Sequence, residues 1–271
     1  MVLYTKNKKR KSGMIVAANN SHLTRWINVL AFVLTVLVNG LAGSTTIIGG
    51  QNTAKVSDTN PTLITPAGYV FSIWGIIYVL LGIFVVFQAL PSQQGEEYHK
   101  KIGWFFALSS LANIVWLFLW QFEYLAFSVV LMFLLLASLI SIYTRLGIGK
   151  ADIGLREKLA VHLPFSVYLG WITIATIANV SATLVSVRWD GFGISAEIWA
   201  AIVVIVALII TLLVVATRKD VAYASVIIWA LVGIAVKQSG NQTIAMLTEI
   251  SAVVVAIAIV ATIILNRLMR R

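Results

Sequence analysis

The chain has 271 residues, of which 60% are hydrophobic and only 11% charged, with a mean hydropathy of +0.94. Charged residues make up about a quarter of an ordinary soluble domain, so this composition excludes one and describes an integral membrane protein. The formal charge is +10 and there is no cysteine, which excludes disulfides, thiolate metal sites and cysteine nucleophiles.

The apolar runs are about twenty residues or longer, enough for a helix to cross roughly 30 Å of hydrocarbon, whereas barrel strands would alternate over about ten residues. The expected fold is all-α: a polytopic integral membrane helical bundle with about eight transmembrane helices, at residues 26–48, 66–90, 102–122, 124–146, 159–186, 196–217, 221–237 and 243–266. Ahead of them, residues 1–25 form a basic tail containing KNKKRK at 6–11. It reads as a topology signal that touches anionic lipid, each basic residue near the surface being worth about 1 kcal/mol. It is not expected to be a cleaved leader, because a polar stretch follows it and the first apolar run exceeds the roughly 7–15 residues of a signal core.

With eight spans and both termini inside, 17 of the 20 basic residues fall on the inner side, leaving Lys55, Arg188 and Lys237 outside. The positive-inside rule expects this bias, so the reading is an N-in/C-in protein of the cell membrane. The net charge then needs no nucleic-acid partner. Membrane lipid and a hydrophobic small molecule are the expected partners, with homodimerisation open.

The first outer loop, GGQNTAKVSDTNPTLIT (49–65), reads as an irregular connector. The second span opens with Thr65 as N-cap and Pro66 at the first helical position. It then presents Phe71, Trp74 and Tyr78 on one face, beside a stripe of Gly68, Gly75 and Gly82 where a neighbouring helix can approach closely. The third span repeats the pattern with Asn113, Trp116 and Trp120, and the fifth with Tyr168, Trp171, Ala175 and Asn179.

By helix rise, Trp74 lies about 12 Å below the outer end of its span, and the amides of Asn113 and Asn179 meet it in the outer half of the bilayer. An amide in hydrocarbon is costly unless hydrogen-bonded, so both amides are expected inside the bundle, where Asn39 of the first span can join them. Flat rings with a few polar tips suit a large, mostly apolar, planar ligand; ordinary helix packing is the competing explanation. Trp26, Trp104, Trp189 and Trp199 read as interfacial belt residues, and Trp120 fits belt or pocket equally.

Glu249 is the one carboxylate clearly within a span, at shallow depth near its outer end, either an interfacial group or a proton-coupling group in a transporter for a small amphipathic solute. Glu197 follows Ser195 at a helix start and fits a capping role. The three histidines lack metal-ligand spacing, and no self-contained catalytic site is evident.

PAGYVFSIWGIIY in the second span, LANIVWLFLW in the third and YLGWITIATIAN in the fifth resemble the helix signatures of the TspO/MBR family, the tryptophan-rich sensory proteins and translocator proteins. The resemblance covers roughly residues 26–186. Ala67 and Tyr69 stand where that pattern has proline and tryptophan. It implies a five-helix bundle over 26–190, with a pocket that opens toward the first loop, and three additional transmembrane helices over 191–271. It further implies a binding or sensory role, with no required cofactor and a porphyrin or haem as the possible ligand. The ligand would be held by Phe71, Trp74, Tyr78, Asn113, Trp116, Trp120, Tyr168, Trp171, Asn179 and Asn39.

Overall fold

A computed structural model describes the backbone of residues 2–268 and the side chains of residues 23–268. The basic segment 6–11 and the C-terminal Arg270 and Arg271 lie outside the described side chains. The described residues are helical, without strands. In chain order the helices are α1 (Val2–Ser44), α2 (Thr53–Thr59), α3 (Ile73–Ala89), α4 (Glu97–Ile102), α5 (Phe105–Gln121), α6 (Leu125–Leu146) and α7 (Leu155–Glu157). They continue as α8 (Leu163–Ser186), α9 (Ala196–Arg218), α10 (Val221–Lys237) and α11 (Gln242–Leu268). A π-helical turn over Lys158–His162 joins α7 to α8 without a break.

Among the described residues, six helical segments are long and apolar enough to cross a membrane: Leu23–Ser44, Gly68–Ala89, Leu125–Leu146, Leu155–Ser186, Ala196–Arg218 and Gln242–Leu268. Phe105–Gln121 and Val221–Lys237 are shorter apolar helices, with 17 residues each. Their ends have local causes. Gly147, at φ 70°, closes α6 in the left-handed conformation that glycine adopts without strain. Asp220 starts α10 by accepting the Tyr223 amide at 3.1 Å, and Ser195 starts α9 by accepting that of Ile198.

Around the bundle α1 packs on α5, α5 on α6, α6 on α8, α8 on α10, α10 on α11 and α11 on α9, while α3 lies against α1 and α8. α10 approaches its neighbours closely. A Cβ on Gly170 of α8 would stand 3.0 Å from the Tyr223 carbonyl of α10, and one on Gly233 would stand 2.1 Å from a Val70 methyl. Small residues let helices meet where lipid offers no hydrophobic drive to hold them together.

Three local expectations are corrected. The second span begins not at Pro66 but with a 3-10 turn at Gly68–Ser72, because the Ala67 amide is bonded across to the Gly233 carbonyl at 3.0 Å. Thr65 caps nothing there; its hydroxyl pairs with that of Thr62. Of the glycine stripe, only Gly82 meets a neighbour, the Phe32 ring of α1, while Gly68 and Gly75 are exposed with open space where a Cβ would be. The first outer loop is no irregular connector either. It contains α2, whose N-cap Asn52 accepts the Lys55 amide at 2.9 Å.

Candidate functional site

The ten residues singled out from sequence converge on one cluster between α1, α3, α5 and α8, beneath α2. Trp74 is its hub. Its ring centroid is 5.7 Å from Tyr78, stacked at 18°, and 6.1 Å from each of Trp116, Tyr168 and Trp171. Phe71 reaches the cluster from the 3-10 turn and meets Trp171 edge-on at 5.8 Å. Trp116 and Trp120 stack along α5 at 5.9 Å. Trp116, Trp120, Tyr168 and Trp171 are buried, and Phe71, Trp74 and Tyr78 are half-buried.

The amides hold the rings from behind. Asn179 accepts the Trp116 indole N–H at 2.9 Å and donates to the Ser128 hydroxyl of α6 at 2.9 Å. Asn39 donates to Asn113 Oδ1 at 2.7 Å, tying α1 to α5. Both Asn113 and Asn179 are buried, as the cost of an amide in hydrocarbon requires. Trp120, which fits belt or pocket on sequence, is interior: its indole N–H donates to the Thr53 carbonyl of α2 at 3.1 Å.

Two adjoining spaces open on this wall. One, of about 230 Å³, is bounded by Asn39, Gly43, Asn52, Thr53, Ala54, Phe71, Trp74, Tyr78, Trp116 and Leu117. The other, of about 30 Å³, lies among Thr53, Ser57, Pro66, Phe71, Trp74, Trp116, Trp120, Trp171 and Asn179, with Ile174, Ala175 and Ala178. They share Thr53, Phe71, Trp74 and Trp116, and no lysine, arginine, histidine or carboxylate lines either. Each is smaller than the roughly 300–1,000 Å³ of a pocket for a drug-sized ligand. In this conformation Trp74 and Trp116 lie against each other, so a flat ligand must part rings or displace α2.

Two buried polar atoms on the cavity wall have no hydrogen-bond partner, the Tyr78 hydroxyl and Trp171 Nε1, while the Asn113 amide faces the Tyr168 hydroxyl. Buried donors are rarely left so, and each costs more in an apolar surrounding than in water. What the wall can do chemically is stack on a flat apolar molecule and donate hydrogen bonds to acceptor atoms on it.

Sequence reasoning missed Thr53 and Ser57, which α2 brings onto the cavity, Ser128, and the anchoring of the 3-10 turn by Trp229, whose indole N–H donates to the Val70 carbonyl at 3.1 Å. The Asn52 cap ahead of TAKVSDT was the one available signal for α2. It also missed Asp220, a buried carboxylate that accepts the hydroxyls of Tyr143 at 2.8 Å and Ser166 at 2.7 Å. That acid is fully partnered and belongs to packing. Glu249 is exposed on α11 and does not line the cavity. Trp26 and Trp104 are exposed, while Trp189 and Trp199 pack on each other at 5.2 Å. His99 of α4 is buried outside the spans and bonded to the Gln93 carbonyl at 2.8 Å; burial pushes its imidazole below the usual value. Among the described residues no three acidic, histidine or cysteine side chains stand close enough to hold a metal ion.

Compared with known proteins, residues 25–265 match the family model described as TSPO-like protein, a match that runs from α1 through most of α11. No curated protein and no solved structure matches the chain.

Proposed function

The chain belongs to the TSPO-like family, and from that premise we propose that it is a membrane-embedded binding or sensory protein whose site takes a flat, largely apolar ligand of the tetrapyrrole type. One observation carries the reading: a wall of seven interlocked rings with two unpaired donors, Tyr78 and Trp171, beside an uncharged cavity. A cluster serving only as packing gains nothing from unpaired donors, and a ligand bearing acceptors supplies their partners.

The ligand stacks on Trp74, Trp116 and Trp171 and accepts from Tyr78 and Trp171, with Phe71, Asn113, Trp120, Tyr168, Asn179 and Asn39 shaping and bracing the site. Charged ring substituents such as porphyrin carboxylates remain at the outer mouth, because no cation lines the interior. The polypeptide crosses the membrane eight times with both termini inside; α5 and α10, at about 25 Å each, complete the set as the shortest crossings.

The test is titration of the purified protein with protoporphyrin IX, followed by tryptophan fluorescence. Saturable quenching is expected, abolished by Trp171→Ala. Trp171→Phe keeps the ring and removes only the N–H, so it weakens binding about tenfold while leaving the ligand-free protein as stable or more so. Saturable quenching that survives Trp171→Ala unchanged would show that the ligand sits elsewhere.

A further inference from the structure

The cavity is roofed by α2, and the two sides of that roof are held very differently. On the α5 side, Trp120 and Gln121 both bond to Thr53, through its carbonyl at 3.1 Å and its hydroxyl at 3.4 Å. Both side chains are buried. Just upstream, Gly49 at φ 67° lies so close to α5 that a Cβ there would stand 2.4 Å from the Gln121 carbonyl. That edge is fixed. On the α10 side, Lys237 Nζ meets Asp58 Oδ1 at 2.8 Å, with the two side chains 38% and 51% exposed, and Gln238 donates to the Thr62 carbonyl at 3.2 Å. An exposed ion pair holds weakly and is screened by salt.

The remaining walls are interlocked rings and buried amides on long helices, whereas the seven-residue α2 buries only Val56 and Ser57. Ser57 lies against the smaller cavity. Because neither space admits a drug-sized molecule as it stands, the segment that yields at least cost is the roof, turning about its α5 edge.

We propose that the Lys237–Asp58 pair is a latch by which α10, a helix beyond the five that carry the pocket, holds α2 shut over the cavity, and that ligand entry begins with its release. The proposal rests on the reading that this cavity binds a ligand. Release frees the α10 edge of α2, bares Ser57 and opens the outer face of the Trp74–Trp116 wall. The pair then re-forms over the occupied site. Neither Lys237 nor Asp58 lines either space; they act on access alone.

The chain has no cysteine, so Ser57→Cys gives a single reporter under the roof. Its rate of labelling by a water-soluble maleimide, in the full-length protein in detergent, reads opening without any ligand. Labelling is expected to rise about two- to fivefold when Lys237→Met is added, the range an exposed pair supports. It should fall back in the swapped Asp58→Lys/Lys237→Asp protein. High salt should speed labelling of the latched protein and leave the Lys237→Met protein unchanged. Equal labelling with and without Lys237, or a swap that restores nothing, overturns the latch.

The rate of protoporphyrin IX quenching, measured in the same proteins without the cysteine, is expected to rise in parallel. Labelling that responds while the quenching rate does not overturns α2 as the entry route. Labelling that responds as expected, with no quenching in any variant, upholds the latch and removes the binding reading.

Discussion

Asn179 shows how much one polar side chain does in this bundle. Its carbonyl oxygen receives Trp116 of α5 and its amide reaches Ser128 of α6, so three helices are joined through one buried amide. Removing it strands the Trp116 N–H, at a cost of about 1–3 kcal/mol for a buried donor left unmade. Asn179→Leu should therefore lower the thermal midpoint by several degrees and loosen Trp116, seen as a red shift of its fluorescence. A midpoint and emission spectrum matching the parent would mean that these bonds carry no weight. Asn179 and Asp220 are both buried and both have their partners within the protein, whereas the Trp74 wall leaves Tyr78 and Trp171 with unused donors.

At the scale of elements, α10 decides the shape of the end of the bundle that carries the cavity. It meets α8 at Gly170, accepts the Ala67 amide through Gly233, and donates from Trp229 to the Val70 carbonyl. The start of the second span is thereby wound as a 3-10 turn rather than an α-helix, which turns Phe71 toward Trp171. Gly233→Ala places a methyl about 2 Å from a Val70 methyl, a distance no contact tolerates, and overpacking of this kind costs about 1–3 kcal/mol. The variant should lose stability and bind protoporphyrin IX more weakly. Val70→Ala in the same chain should recover most of both, and failure of that rescue would show that the clash is not the cause.

For the whole molecule, the distribution of basic residues and the packing order bear on sidedness. Lys55 of α2, Lys237 at the end of α10 and the cavity mouth lie at one end of the bundle, while Arg145, Lys150 and Arg218 gather at the other, where Arg218 bonds to the Ile148 carbonyl. The eight-crossing arrangement predicts that Lys55→Cys reacts with an impermeant maleimide added to intact cells, and that Lys150→Cys reacts only after the membrane is opened. Reaction of both in intact cells, or of Lys150→Cys alone, would reverse or break the arrangement.

Membrane character, helical class and the positions of the aromatic stripes were legible in the residues themselves, because a 20-residue apolar run and a 3.6-residue period depend on local order alone. So was the interior placement of Asn113 and Asn179, since hydrocarbon penalises an unpaired amide wherever the chain carries it. The tertiary structure alone decided what those residues meet. That Asn179 pairs with Ser128, that Trp120 supports a roof rather than a lipid interface, and that α10 rewinds the start of the second span all depend on partners 51 to 159 positions distant in the chain. No periodicity within one segment encodes such a pairing, because each is set by which helix comes to lie beside which, and by the few small residues, Gly170 and Gly233, that let the backbones touch.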